Sequence, residues 1–473
     1  YADLKGLIHR ISKQLAGYGI SNSDRAAIVL PNGQYMATSF LAISSYMSAA
    51  PLNPNYKSEE FEFYLKDLKP KIVLVEKNSE NVVTEVAKKL GIPVCELQNS
   101  ESNLAGDFNL FDKSAEYNLP NEDQEALVLH TSGTTSRPKI VPLSNSNIYS
   151  SSNNISKSLK LTDKDHCLNI MPLFHIHGLI AVLASSMKVG ASVCATSGFN
   201  ALKFLDQAKS EKITWYSGVP TMHQAILMRA DKNLDLAKNL NLRFLRSSSA
   251  SLPPAVFEKL NLVFNCPVIE AYGMTEATHQ MTSNPLPPQK QKPGFVGIPA
   301  GPDVCIMDND YNIMKNGEEG EVCIKGSNVT VGYENNPEAN KNSFSNGWFR
   351  TGDQGYFDDE GYLKISGRLK EIINKGGEKI SPLEVDNVLM DHPAIEAAVC
   401  FGYADKMLGE DIATAIIIKE GKTCNEDDVK NFAKEKLAKF KIPKKIYFVK
   451  EIPKGATGKL QRNTLAKNFG LTG

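Results

Sequence analysis

Seven short runs rich in apolar and β-branched residues, at 25–30, 71–76, 125–130, 191–196, 214–219, 242–247 and 267–272, are separated by segments of helical length. The segments 34–49, 59–68, 201–209 and 253–261 carry the helical pattern. Strand followed by helix, repeated in this way, implies parallel sheets covered by helices, because a parallel pair needs a crossover long enough to hold one. Ligands in such sheets gather at the carboxyl ends of the strands. After about residue 285 the texture changes: 304–308, 321–325 and 362–366 are short strands between Gly, Asn and Asp turns, as in a β-rich subdomain. A boundary is expected near Lys370, followed by a small α+β domain. The expected fold is therefore α/β: a large N-terminal domain of helix-covered, largely parallel sheets plus a β-rich subdomain over 1–369, then a small domain over 370–473.

Length agrees, since 473 residues exceed what one compact core usually organises. Lys plus Arg and Asp plus Glu each number 53, so the formal net charge is zero and nothing favours nucleic acid as a partner. Eight cysteines stand singly, without a C-x-x-C pair, and are expected to be reduced and mostly buried. The longest apolar stretch, 178–187, is too short to cross a bilayer and is expected to be a core helix.

Five segments carry chemistry. Thr131, Ser132, Gly133, Thr134, Thr135, Ser136, Arg137, Pro138 and Lys139 follow an apolar strand and precede a helix expected to begin near Ser144. Backbone N–H groups and hydroxyls of such a loop can wrap phosphate oxygens while Lys139 supplies a cation; by itself the run is equally a solvated Ser/Thr loop. It is not a Walker A motif, because Pro138 stands where that motif places glycine. Ala271, Tyr272, Gly273, Met274, Thr275 and Glu276 offer an aromatic for adenine, a hydroxyl for phosphate and a carboxylate for Mg²⁺, or else a simple β-to-α turn. Asp353, on a Gly-Asp turn, suits the two hydroxyls of a ribose, although a lone Gly-Asp is ordinarily a turn. Arg368 to Lys370 mark a boundary, and Lys375, Gly376, Gly377 and Glu378 form a glycine loop read as flexible. Lys459 lies on a small-residue turn near the end.

In this order the five segments resemble the adenylate-forming superfamily of acyl-CoA synthetases, luciferases and adenylation domains, over nearly the whole chain. The resemblance implies an enzyme, an AMP-forming acid–thiol ligase using ATP, Mg²⁺ and coenzyme A, with a mobile C-terminal domain that carries the catalytic lysine. It implies that Thr131, Ser132, Gly133, Thr134, Thr135 and Lys139 hold phosphate, and that Ala271, Tyr272 and Gly273 flank the adenine. Thr275 would meet the α-phosphate, Glu276 would bind Mg²⁺, and Asp353 and Arg368 would hold the ribose. Lys370 would be the hinge, Lys375, Gly376, Gly377 and Glu378 would line the CoA channel, and Lys459 would catalyse adenylation. Relatives commonly have glycine where Ile140 stands; if that position needs positive φ, a β-branched residue obstructs the loop.

For the acid, the resemblance points to a pocket bordered by His175 and by Ser247, Ser248 and Ser249, next to Arg246. Three serines make a smaller and more polar wall than a long-chain pocket has. His279 could pair with a second carboxylate or be an ordinary core or surface histidine. His175 and His177 form an H-x-H pair, but no third ligand suggests metal there. The runs around Ser136, Ser248 and His279 look most like oxalate–CoA ligases, so oxalate or another short polar acid is expected, with fatty acids and 4-coumarate-type acids as alternatives. Carrier-protein loading, luciferase-like oxidation and a non-catalytic nucleotide-binding role are more remote readings. The chain is expected to be cytoplasmic, monomeric or homodimeric and without membrane insertion; the ending Leu471, Thr472, Gly473 is no peroxisomal signal.

Overall fold

A computed structural model describes the chain except residues 101, 103, 132–137, 454–461 and 472–473, with the side chains of Asn99 and Asn463 also left aside. The chain separates into two compact units. The first comprises Tyr1–Thr131, Lys139–Val304 and Ile324–Phe344, and the second is built mainly from Cys305–Cys323 and Ser345–Gly473.

The first unit contains two large sheets. One is assembled from β1 (Arg25–Val29), β2 (Ser48–Pro51), β3 (Ile72–Val75) and β4 (Val94–Glu96). After a two-residue ribbon, β5 (Gln98–Asn99) with β6 (Phe108–Asn109), come β7 (Glu125–Thr131) and β8 (Lys139–Ser144). The order is β4-β3-β1-β2-β7-β8, parallel throughout except for β8, which runs antiparallel to β7. Every residue of β2 and β3 is buried, as expected of strands covered on both faces. Phe61, Tyr64 and Leu65 of the helix Ser58–Leu68 pack on Ala27, Val73, Val128 and Ile140 of this sheet.

The second sheet holds β9 (His166–Asn169), β10 (Ser192–Ala195), β11 (Trp215–Gly218), β12 (Phe244–Ser247), β13 (Val268–Met274), β14 (His279–Ser283) and β15 (Ile298–Pro299). Its order is β10-β9-β11-β12-β13-β14-β15, with β9 to β13 parallel and the last two antiparallel. All seven sequence-expected strands are present, and the parallel sheets follow from their helical crossovers. Two local expectations differ. The helix expected over 34–49 ends at Ser44, and 48–51 is strand β2: Ser45 to Met47 turn the chain so that small Ser48, Ala49 and Ala50 can pair between β1 and β7. The apolar stretch 178–187 is a buried helical segment that begins as a π-helix, His177–Ala184.

The second unit contains β16 (Asp303–Met307), β17 (Gly320–Lys325), β18 (Phe344–Ser345), β19 (Trp348–Phe357) and β20 (Leu363–Arg368), in the order β16-β17-β19-β18 with β20 beside β19. It closes with β21 (Ile373–Lys375), β22 (Glu378–Ile380), β23 (Ile395–Asp405), β24 (Gly409–Ile418) and β25 (Lys445–Phe448), ordered β22-β21-β24-β23 with β25 parallel to β24. Val385 and Leu389 of the helix Pro382–Met390, and Val429 and Ala433 of the helix Glu426–Lys436, cover its Ile373, Ile412 and Ile416. This is the expected α+β pattern.

Candidate active site

The candidate phosphate loop spans the turn of a hairpin. Thr131 at the end of β7 pairs opposite Lys139 at the start of β8, so the chain leaves and re-enters the sheet at neighbouring points. Ser132, Gly133, Thr134 and Thr135 lie outside the described residues, as does Lys459. The sequence pattern missed β8, placing the helix directly after the loop. The helix itself, Asn145–Ser158, begins where expected: Ser144 accepts from the Asn147 N–H, and the Asn147 side chain accepts in return from the Ser144 N–H. Ile140 is no obstacle. It sits in extended β8 opposite His130, is not one of the described residues with positive φ, and its buried side chain joins the sheet core. A β-branched residue favours that conformation.

Lys139 and Glu276, 137 positions apart in sequence, meet through a residue the motifs did not flag. Lys139 Nζ lies 4.1 Å from the centroid of the Tyr333 ring, and the Tyr333 hydroxyl donates to Glu276 Oε1 at 2.8 Å. A cation above an aromatic face is attracted by the ring quadrupole. Burial, reinforced by the charge of Glu276, pushes the Tyr333 phenol up, so it stays a donor. The segment carrying Tyr333 is tied down on all sides. The Thr330 N–H donates to the Glu276 carbonyl, the Thr330 hydroxyl to the Pro142 carbonyl, and the Glu334 N–H to the Ile140 carbonyl. Glu334 and Glu125 both engage Arg25 of β1. The only sequence signal for this residue is the run Gly332, Tyr333, Glu334, which carries no periodicity.

Ala271, Tyr272 and Gly273 end β13, and Thr275 and Glu276 form a one-turn 3₁₀ helix, Thr275–Ala277, that leads into β14 rather than into an α-helix. The hairpin pairing is irregular between Tyr272 and Gly273, where a Cβ on Gly273 would stand 1.8 Å from the His279 carbonyl oxygen. Only glycine permits that approach. Glu276 is a nearly buried carboxylate, and no group of three potential metal-binding side chains occurs among the described residues. A single carboxylate of this kind fits Mg²⁺, which takes its remaining ligands from water and phosphate oxygens.

At the carboxyl ends of β11, β12 and β13 lies a buried polar cluster. His177 Nε2 is 2.7 Å from Ser217 Oγ and its Nδ1 is 3.0 Å from Ser249 Oγ, while the His279 ring centroid is 5.0 Å from that of His177. Arg246 reaches Ser217 Oγ at 3.4 Å and Gln280 Oε1 at 3.2 Å. Burial, then the charge of Arg246, holds both imidazoles well below the usual histidine range. Of the pocket residues expected from sequence, Ser249 and His279 join this cluster. Ser248 is occupied with the Ala271 carbonyl at 2.8 Å, and Ser247 is buried nearby on β12. The His175 ring lies tilted beside Phe174, centroids 4.6 Å apart, and it is His177 that meets His279 and Ser249. The resemblance points to His175 as the pocket residue, whereas the cluster forms around the second histidine of the same H-x-H run.

In the second unit, Asp353 of β19 and Arg368 of β20 are register partners, with Arg368 Nε 3.1 Å from Asp353 Oδ1. Asp353 is therefore a strand residue, following Gly352 at φ 74°, rather than part of a free turn. Lys370 lies in the 3₁₀ turn Leu369–Glu371. Gly376 and Gly377, at φ 59° and 94°, make a two-residue hairpin turn between register partners Lys375 and Glu378. Two left-handed residues are what a tight hairpin of this handedness demands, so the glycine loop is a fixed turn. Lys375 is paired with Asp411 at 2.5 Å.

Sequence and structure comparisons agree with this fold. The AMP-binding enzyme family matches residues 1–334, and the AMP-binding enzyme C-terminal domain matches 384–459. An oxalate–CoA ligase of Arabidopsis thaliana is 46% identical over 99% of this chain and 93% of the relative. One of Saccharomyces cerevisiae is 44% identical over 96% of this chain and 88% of the relative. Among solved structures, ATP-bound MatB from Rhodopseudomonas palustris superposes with a TM-score of 0.89 at 28% identity, covering 99% of this chain and 93% of that one. The chain belongs to the AMP-binding enzyme family, the AMP-forming acid–thiol ligases that draw on ATP.

Proposed function

We propose that this chain is an oxalate–CoA ligase working through an acyl-adenylate. The observation that carries the substrate is the 44–46% identity to the plant and yeast oxalate–CoA ligases across nearly the whole chain. The polar cluster supports it: buried His177, Ser217, Arg246, Ser249 and His279 surround a small acid better than an apolar tail, which would leave their polar atoms unpaired.

In the first half-reaction a carboxylate oxygen of the acid bonds to the α-phosphorus of ATP, the bond from that phosphorus to the bridging oxygen breaks, and pyrophosphate leaves. The catalytic load is alignment of two anions and neutralisation of their charge. Lys139 and the 131–135 loop would hold phosphate, Thr275 the α-phosphate, Ala271, Tyr272 and Gly273 the adenine, and Asp353 with Arg368 the ribose. Glu276, oriented by Tyr333, would hold a Mg²⁺ that neutralises phosphate charge. Lys459 would approach the α-phosphate. In the second half-reaction the CoA thiolate attacks the acyl carbon and AMP departs. We assign residues 1–369 and 370–473 to the two functional domains, with Lys370 as hinge and Lys375, Gly376, Gly377 and Glu378 beside the thiol path. No helix among the described residues is long and apolar enough to cross a membrane.

Mass spectrometry of a reaction containing oxalate, ATP, Mg²⁺ and CoA tests this reading. Oxalyl-CoA and AMP should form in equal amounts; ADP formation, or absence of the thioester, would overturn it.

A further inference from the structure

Arg246 is the anomaly of the first unit. Its side chain is 0% exposed, yet among the described residues its side-chain hydrogen bonds go to two neutral groups, at 3.4 and 3.2 Å, and its Nε has no partner. Six other described arginines, 10, 25, 243, 350, 368 and 462, each hold a carboxylate, and Arg229 stands exposed. A cation buried without an anion is costly, and proteins ordinarily pair it. Burial lowers its proton affinity to about 9, still high enough to keep it charged at neutral pH.

The surroundings are equally unusual. Among the described residues, His279 Nδ1, on β14 two strands over from the arginine, is buried without a partner. Among the described non-glycine residues with positive φ, His279 at 96° and Ser249 at 72° have the two largest values, and both touch His177. His177 itself opens a π-helix. Strained backbone and π-helical turns persist where surrounding structure enforces them, and they concentrate at ligand sites. Ser217 and Arg246 are register partners on β11 and β12, so both project from one face near the strands' carboxyl ends.

We infer that Arg246 is the anion seat of the acid pocket: its guanidinium binds the carboxylate of the acid that does not react, with His279 donating to the same group. The ligand class is a short acid bearing a second negative charge within a bond or two of the reacting carboxylate. A guanidinium fork matches a carboxylate in two-point geometry, which an ammonium does not. His177, held by Ser249, packs against the His279 ring and positions it. This inference rests on the acid–CoA ligase reading and adds the residue that selects a dianion.

Full-length wild type, Arg246→Met and Arg246→Lys are assayed for pyrophosphate release with oxalate, malonate and acetate, and melted without ligand. Arg246→Met should raise KM for oxalate about 100-fold, the scale expected when one partner of a buried charge pair is removed. KM for ATP should stay within twofold and acetate should gain relative to oxalate. Arg246→Lys should fall between. Ligand-free Arg246→Met should melt no lower than wild type, since an unpaired charge gives way to an apolar chain of similar length. An unchanged KM for oxalate, or a ligand-free melting point several degrees lower, would overturn the inference. Wild type inert to oxalate but active with malonate would refute the oxalate reading alone, and the variants would then be judged on malonate against acetate. Activity with uncharged-tail acids only would refute both.

Discussion

Tyr333 owes its importance to what it joins. Its ring lies under Lys139 and its hydroxyl holds Glu276, so one side chain orients the cation and the anion proposed above to hold phosphate and Mg²⁺. Tyr333→Phe keeps the ring and removes the hydrogen bond. A bond to a charged group is worth about 1.5–3 kcal/mol, so KM for Mg-ATP should rise about tenfold or more with little change in melting temperature. Steady-state kinetics over a Mg²⁺ titration checks this; an unchanged Mg²⁺ and ATP dependence would remove Tyr333 from the site. The residue was invisible to motif reading because a tyrosine after glycine in a loop has no pattern of its own. Its role comes from a fold that stitches 328–334 onto β8 and the 275–277 turn.

The hairpin β7–β8 contrasts what local pattern conveys with what it does not. Strands β1, β3, β7 and β10 to β13 are legible because buried parallel strands are continuous apolar runs, and Ser144 is legible as a helix start through its capping chemistry. Strand β8, in the run Ile140, Val141, Pro142, Leu143, is hidden by its proline and by the Ser/Thr-rich sequence before it, both of which read as loop. For the same reason Ile140 read as an intrusion into a loop, when it is a core residue of a strand. Ile140→Ala should cost about 2–4 kcal/mol of stability through the cavity it leaves. Chemical denaturation measures that cost, and Ile140→Gly should lose stability without gaining adenylation rate. A glycine variant that is as stable and faster would show that the position acts as part of the loop. The buried polar cluster proposed as the acid pocket was half legible: Ser249 and His279 belong to it, but that His177 lies at its centre depends on where a π-helix begins.

For the molecule as a whole, the claim is division of labour between two half-reactions. Lys459→Ala should nearly abolish acyl-adenylate formation while sparing thioester formation from a supplied adenylate, since only the first step needs a cation against developing phosphate charge. Equal loss in both half-reactions would contradict the assigned role. The two family matches divide the chain in the same sense, one ending at 334 and the other beginning at 384. The test closest to the central claim is pyrophosphate release with ATP, Mg²⁺ and CoA across oxalate, malonate, acetate, octanoate and 4-coumarate. The expected result is a kcat/KM for oxalate at least about 100-fold above that for octanoate or 4-coumarate, because those acids would strand buried polar groups. Preferred release with octanoate or 4-coumarate, and none with oxalate, would contradict the substrate assignment.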